Sequence, residues 1–500
     1  MGSTLPPTIP SVILANSRGA RMAAIGDSTT IADGYTPLSG APSAQGNNWP
    51  TYLSLASGGQ ISILRNFGVG GTTSLQALNT QLPQVLATNP LPDFCLIGTG
   101  TNDTDPVNQT QPNVTAICQR LIAAGIRPII RSMPPAGMES ISAPTSVSVS
   151  TATTGGTLPA GTYAYRVSAV TPNGETLPGA EVMVTTTGSS SANTITWQSV
   201  PSAGGYRIYG RTAGAELLLA YNNNTGGQSR PICSYTDTGS VTPSGAMPVT
   251  NTTGSSLSST VRTKIVTGNA ILNRIAQKLG IPFLDMYNFF VDPATGTYQL
   301  GTTIEGTHPC SQSMKLFGQN AWASLQNFFP PFVPYLCGDN ADPTQLFGNP
   351  LYLNNNGNYP TGWAPFSGSA AESMVTVSGI RGQTYRTAIP GYAARFSTWQ
   401  INSGFSVGDT IQVSGKMQLS GADQNGGQGL FQLYAVGPNA AIGGYVLNSD
   451  TGGVVTFQFE GTVPAGTTAL QLKKNVSYGP CTFDIGEINV RNLTALGITT

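Results

Sequence analysis

Arg21-Met22-Ala23-Ala24-Ile25-Gly26-Asp27-Ser28 is the stretch on which the fold turns, because a short apolar run passes directly into a polar turn. An apolar run without alternation reads as a strand covered on both faces, as strands of a parallel sheet are. A Ser on the turn leaving such a strand stands at the carboxyl edge of the sheet, where open α/β folds keep their reactive groups. Ser28 is therefore the candidate nucleophile, although Gly-Asp-Ser alone is also a common turn tripeptide.

The arrangement recurs along the chain. A short helix from Asn48 to Leu55 precedes a second strand, Ile61-Ser62-Ile63-Leu64-Arg65, which runs into the glycine-rich loop Asn66-Phe67-Gly68-Val69-Gly70-Gly71-Thr72-Thr73 and a helical stretch from Ser74 to Leu86. Glycines there allow backbone N–H groups to approach a ligand oxygen. The Lys of a phosphate-cradling P-loop is missing. Asp93-Phe94-Cys95-Leu96-Ile97 is a third strand, and it ends in Gly98-Thr99-Gly100-Thr101-Asn102-Asp103. The Asn102 amide is placed either to donate to a developing oxyanion or to close an Asx turn. Val114, Ile117, Leu121 and Ala124 follow at helical spacing, and Arg127 to Met133 is a fourth strand. Strand alternating with helix predicts a parallel sheet with helices on both faces.

From about Ser140 the composition becomes Thr-, Ser- and Gly-rich with period-2 runs, as in Tyr163, Tyr165, Val167 and Ala169. Short strands at that spacing predict a β-sandwich over 141–255, and the stretch resembles the fibronectin type III-like modules of phage tail proteins. The α/β pattern then resumes. Val261, Ile265, Gly268, Leu272, Ile275 and Leu279 form an amphipathic helix, Pro282 to Met286 a fifth strand, and Met314, Phe317, Ala321, Leu325 and Phe328 one face of a closing helix. Neither half has enough strands to stand alone, so the α/β domain is 21–140 plus 256–330, interrupted by the insertion. Residues 1–20 are a lead-in and 331–345 a linker. Residues 346–500 are strand-rich and predict a second sandwich of jelly-roll type. This region resembles the carbohydrate-binding modules of glycan-active enzymes. Trp363 with Tyr359 suits either stacking on a sugar ring or a place in the core.

Composition narrows the function classes. Net charge is zero, and 9% of residues are charged against roughly 25% in ordinary globular chains. A basic face for nucleic acid is excluded on that ground. No apolar run reaches the ~18 residues of a membrane span, and Met1 to Pro10 lacks the pattern of a secretory signal. The six cysteines show no CxxC or zinc-like spacing, so neither a metal nor a cofactor is expected; Cys310 and Cys337 are the one pair considered for a disulfide.

His308, in Ile304-Glu305-Gly306-Thr307-His308-Pro309, is the only histidine among 500 residues. A serine nucleophile needs a base of near-neutral pKa, and imidazole supplies it. Gly26-Asp27-Ser28, the 66–73 loop, Gly100-Thr101-Asn102-Asp103 and Glu305-Gly306-Thr307-His308-Pro309, in that order at strand ends, resemble the SGNH (GDSL-like) hydrolase family over about 195 residues in two pieces. The resemblance implies a flavodoxin-like α/β/α fold and a serine esterase. It carries a nucleophile to Ser28, oxyanion donors to the Ser28 N–H, Gly71 and Asn102, and the base to His308. Where the family has an Asp three residues before the His, this chain has Glu305. A triad acid must hold the imidazole's tautomer, so Glu305 fills the role only if its extra methylene is accommodated; a Ser-His dyad and Asp285 are the alternatives.

The two sandwiches, the low charge and the absence of an apolar lid favour a sugar O-acetyl esterase of a phage tail spike or fibre, acting on host surface polysaccharide. A homotrimer and other tail proteins are the partners this implies, though no heptad repeat signals a trimer. A non-catalytic receptor-binding tail protein and a secreted carbohydrate esterase are the competing readings.

Overall fold

The structure is a computed structural model that describes residues 18–31, 49–222, 232–329, 334–336, 338–367, 370–390, 393–422 and 427–498. The lead-in up to residue 17 and Cys337, and with it the Cys310–Cys337 pair, lie outside the described residues. The chain divides into two compact units, Met1–Met133 with Lys264–Phe289 and Ser311–Thr500, and Pro134–Thr263 with Phe290–Cys310.

In the first unit, strands Ala20–Gly26, Ile61–Asn66, Phe94–Gly98, Arg127–Arg131 and Phe283–Leu284 form one parallel sheet in the order fifth, fourth, third, first, second. Fold class is thus α/β with a doubly wound sheet. The first and third strands, each with a neighbour on both sides, are buried from Met22 to Gly26 and from Phe94 to Gly98. Their unbroken apolar sequences follow from being covered on both faces.

Helices Trp49–Ala56, Gln111–Ala123, Ser259–Leu279 and Ser311–Leu325 carry the apolar stripes that cover it. On Ser259–Leu279 the buried face is Ile265, Gly268, Ile271, Leu272, Ile275 and Ala276, while Val261 is 36% exposed. The stripe is wider than steps of three and four suggest, and its first turn lies outside it. The stretch from Ser74 to Leu86 is helical but widens to a π-helix over Ala77–Gln81. Pro83 has no N–H to return to the carbonyl four residues back, so the ladder there cannot be a regular α-helix.

The C-terminal part is a sandwich of two five-stranded antiparallel sheets. One orders Ala364–Ser367, Ala394–Ile401, Ala469–Ser477, Gln428–Val436 and Ala440–Leu447; the other orders Ala371–Val375, Thr384–Ile389, Cys481–Asn492, Thr410–Ser420 and Val455–Thr462. Tyr52 and Leu55 of helix Trp49–Ala56 join the core of this sandwich, and Ser54 Oγ lies 2.8 Å from Tyr445 OH. Every residue of that helix from Trp49 to Leu55 is buried, because it is covered on more than one side. The second strand of the parallel sheet, an edge strand, lies against Val455–Thr462.

In the second unit, Gly161–Thr171 pairs with Gly205–Arg211, Gly174–Glu175 and Val182–Thr186, and Leu217–Asn222 extends this sheet beyond Gly205–Arg211. Ser148–Ala152, Ala192–Gln198 and Ile232–Asp237 form a second antiparallel sheet. Trp197, Tyr165, Val167 and Tyr206 lie in the core between them. The segment Phe290–Cys310 joins this unit through a bridge of Tyr298 with Met138, which also bridges Ser255.

Candidate active site

The turn bearing Ser28 is fixed by the residues around it. Gly26 has φ +152°, and a Cβ there would sit 2.3 Å from the Gly98 carbonyl oxygen and 2.4 Å from Thr30 Oγ1. Only glycine lets the first and third strands approach this closely at their ends. The Gln81 side chain then clamps the same residue: Gly26 N–H donates to Gln81 Oε1 (2.8 Å), and Gln81 Nε2 donates to Gly26 O (2.9 Å). Asp27 is fully buried and its Oδ1 accepts from Thr29 N (3.0 Å) and Thr29 Oγ1 (2.6 Å). Arg131, 1% exposed, reaches in from the fourth strand. Its Nη2 lies 3.4 Å from Asp27 Oδ1 and donates to Thr29 Oγ1 (2.7 Å) and Gly98 O (2.9 Å). Ser28 follows, partly exposed, at the start of the short helix Ser28–Ile31.

Two further loops meet this turn. Val69 N–H donates to Gly26 O (3.0 Å), and a Cβ on Gly70 would lie 3.9 Å from Ser28 Cβ. Gly71 is exposed at φ +75°, a backbone conformation that side chains other than glycine's resist. Asn102 Nδ2 donates to Thr72 O (3.0 Å), which joins the third-strand loop to the glycine loop. Asp103 completes the join, accepting from Ser74 N (2.9 Å) and from Thr110 Oγ1 (2.7 Å). Ser28, Gly71 and Asn102 therefore lie on three loops tied to one another. An amide nitrogen carries two N–H bonds, and Asn102 spends one of them on Thr72, so the other can serve a ligand oxygen.

In the second unit, Glu305 Oε1 is hydrogen-bonded to His308 Nδ1 and also accepts from His308 N (3.1 Å). The longer acid is thus accommodated by curling back onto the backbone of its own turn. Thr303 Oγ1 accepts from Glu305 N (3.3 Å) and Gly306 N (2.9 Å), while Ser255 Oγ and Asn173 Nδ2 donate to Glu305 O at 3.3 and 3.1 Å. Tyr298 OH donates to Thr307 O (3.0 Å). With a carboxylate at Nδ1 the imidazole keeps its proton there, so the lone pair sits on Nε2, the tautomer a general base requires. Asp285 does other work: it caps helix Met286–Phe290, accepting from Asn288 N (3.0 Å) and Asn288 Nδ2 (2.6 Å).

The hydrogen bond from His308 holds the Glu305 carboxyl below the usual range, against an opposing effect of partial burial. A carboxyl depressed in the folded state stabilises it above the unfolded value, 4.5, and the contribution is lost as pH falls through the lower folded value. Glu305→Gln should therefore be less stable than wild type above the unfolded value of 4.5, with the difference closing as pH falls through the lower folded value. Thermal melts over that range check it, and a gap that ignores pH would count against the carboxylate–imidazole bond.

Trp363 is 3% exposed and packs against Tyr352 and Tyr385 in the sandwich core, which leaves no ring face for a sugar; Tyr359 is half-buried against the same core. Gln81 and Arg131 carry much of the geometry although neither belongs to a motif of the sequence. Arg131 alone left a signal there, a charge at the end of the apolar run Arg127-Pro128-Ile129-Ile130-Arg131. No cluster of metal-ligating side chains occurs among the described residues.

Residues 24–167 match the GDSL-like Lipase/Acylhydrolase family, a segment that includes Ser28, Gly71 and Asn102. The match supports an ester-hydrolase reading of that segment. No curated protein sequence matches the chain. Among solved structures, the chain is similar to the enzymatically active domain of tailspike protein 4 of bacteriophage CBA120, at 14% identity and a TM-score of 0.24 over 30% of this chain and 21% of that one. It therefore spans about a fifth of the tailspike domain. A GDSL-like lipase from Bacteroides thetaiotaomicron is similar at 14% identity and a TM-score of 0.30, over 62% of this chain and 89% of that one. A xylan-binding domain from Paenibacillus barcinonensis is similar at 13% identity and a TM-score of 0.21, over 27% and 88%.

Proposed function

We propose that the chain is a serine esterase that removes O-acetyl or other short acyl groups from a bacterial surface polysaccharide, as part of a phage tail spike or fibre. The observation that carries the esterase reading is the tying of the Ser28 turn to the Gly71 and Asn102 loops, which gathers a hydroxyl and amide donors at one sheet edge. In this reading His308 takes the proton of Ser28 as the Ser28 Oγ attacks the ester carbonyl. The N–H groups of Ser28 and Gly71 and the Asn102 amide hold the resulting oxyanion. The imidazolium, steadied by Glu305, returns the proton to the leaving sugar alkoxide, and water repeats the cycle on the acyl-enzyme to release the acid. The polysaccharide assignment rests on the sandwich attached to the parallel-sheet part and on a surface poor in charge.

Acetate release from acetylated bacterial polysaccharide, by wild type beside Ser28→Ala, tests the proposal. Equal background release from both would falsify it and leave the receptor-binding reading. Within the same assay, Asn102→Ala should lower kcat about 10²- to 10³-fold with little change in KM, because its donor acts on charge that exists only in the transition state. A rise in KM alone would assign Asn102 to substrate binding instead.

A further inference from the structure

The edge strand Ile61–Asn66 ends at a cleft of about 590 Å³. One wall comes from the parallel-sheet part, with Arg65, Phe67, Gln84 and Asn89, and the other from the sandwich strand Val455–Thr462, with Glu460 and Thr462. Its size is that of a small-ligand site. The two charged lining residues differ in how they are used. Glu460 is buried and already engaged, by Arg18 Nε and Nη2 at 3.0 and 2.6 Å and by Gln412 Nε2 at 3.2 Å. Arg65 is exposed, with its guanidinium 5.6 Å from the centre of the Phe67 ring, and no ion pair or hydrogen bond of its side chain occurs among the described residues. The cleft therefore presents one uncompensated cation on an aromatic support. Thr462 Oγ1 donates to Asn89 O (3.0 Å), a bond that joins the two walls.

We infer that this cleft binds a carboxylate-bearing segment of a polysaccharide, with Arg65 pairing to the carboxylate and the amides of Gln84 and Asn89 meeting sugar hydroxyls. A planar guanidinium matches a carboxylate with two parallel hydrogen bonds, and an amide both donates and accepts, as a hydroxyl partner requires. Phe67 opens the loop that carries Gly71, and its N–H is held by Ala24 O (2.7 Å). A chain seated in the cleft thus contacts the same loop as the proposed oxyanion site. The inference rests on the polysaccharide esterase reading and names the acidic class of its substrate.

The test is a calorimetric titration of the full chain carrying Ser28→Ala with tetragalacturonate, beside a neutral galacto-oligosaccharide of the same length. Tetragalacturonate should bind and should weaken as salt rises, and adding Arg65→Ala should lower its affinity about tenfold or more. Arg65→Lys should recover only part of this, since an ammonium lacks the planar fork. Should Arg65→Ala shift the thermal melt, Gln84→Ala, an exposed helix position, replaces it and should also weaken binding. Unchanged affinity in these variants, or equal affinity for the neutral oligosaccharide, overturns the inference. Hydrolysis of p-nitrophenyl acetate by wild type is measured separately. A chain that binds but does not hydrolyse sinks only the esterase reading, and one that hydrolyses but does not bind sinks only this one.

Discussion

Ser28→Ala should lower kcat for p-nitrophenyl acetate by about 10³- to 10⁶-fold while leaving KM within a few-fold. Removing a nucleophile that works as a unit with its base costs most of the chemical step, and what remains comes from the oxyanion donors and from binding. The substitution is a clean one structurally. Ser28 is partly exposed, and its turn is held by others: by Gln81 on Gly26, by Thr29 on Asp27 and by Asp27 N–H on Gly98 O at 3.1 Å. The melting curve should therefore be unchanged, which separates lost chemistry from lost folding. A fluorophosphonate should label the wild-type peptide containing Ser28 and spare that of the variant. Full activity in Ser28→Ala, or labelling at another serine, would place the nucleophile elsewhere.

The parallel sheet is legible in the sequence because its central strands are apolar without alternation and end in polar turns, a pattern that depends only on nearby residues. The helix faces are legible for the same reason, with the π-widened segment Ala77–Gln81 as an exception that Pro83 explains after the fact. What sequence cannot show is which distant residue completes a turn. Gln81 reaches Gly26 across 55 positions and Arg131 reaches Asp27 across 104. Neither spacing has any periodicity to read. The sharing of the sandwich core by Tyr52 and Leu55 is similarly hidden, since both residues look like ordinary inward positions of an amphipathic helix. Trp363 illustrates the remaining difficulty: an aromatic beside asparagines suits a sugar platform and a core equally until its burial is known.

Arg131→Met should be the most destabilising single change in the parallel-sheet part, at roughly 3–5 kcal/mol, because it strands a buried carboxylate. Both side chains of the Arg131–Asp27 pair are 1% exposed. An exposed pair of this geometry would contribute only about 0–1 kcal/mol, so burial decides the size of the effect. Asp27 Oδ2 has no hydrogen-bond partner among the described residues, and although Oδ1 accepts two bonds from Thr29, the charged partner of the carboxylate is the Arg131 guanidinium. Met approximates the volume of the Arg stem, so the loss is chiefly of charge and of the bonds to Thr29 Oγ1, Gly98 O and Ser132 O. Adding Asp27→Asn removes the stranded charge and should recover part of the stability, giving a coupling of about 0.5–3 kcal/mol in the double-mutant cycle. Raising salt should change little, since the pair is out of reach of screening ions. The two-unit chain is not expected to unfold in one step, so hydrogen exchange of the peptides spanning 20–31 and 94–98 is the appropriate measure. Arg131→Met should speed exchange there far more than in the C-terminal sandwich. It should also lower esterase activity at temperatures where the protein is still folded, because Asp27 sits next to Ser28 and a loosened Asp27 loosens the nucleophile. Faster exchange with undiminished activity would show that Arg131 supports the sheet without positioning Ser28.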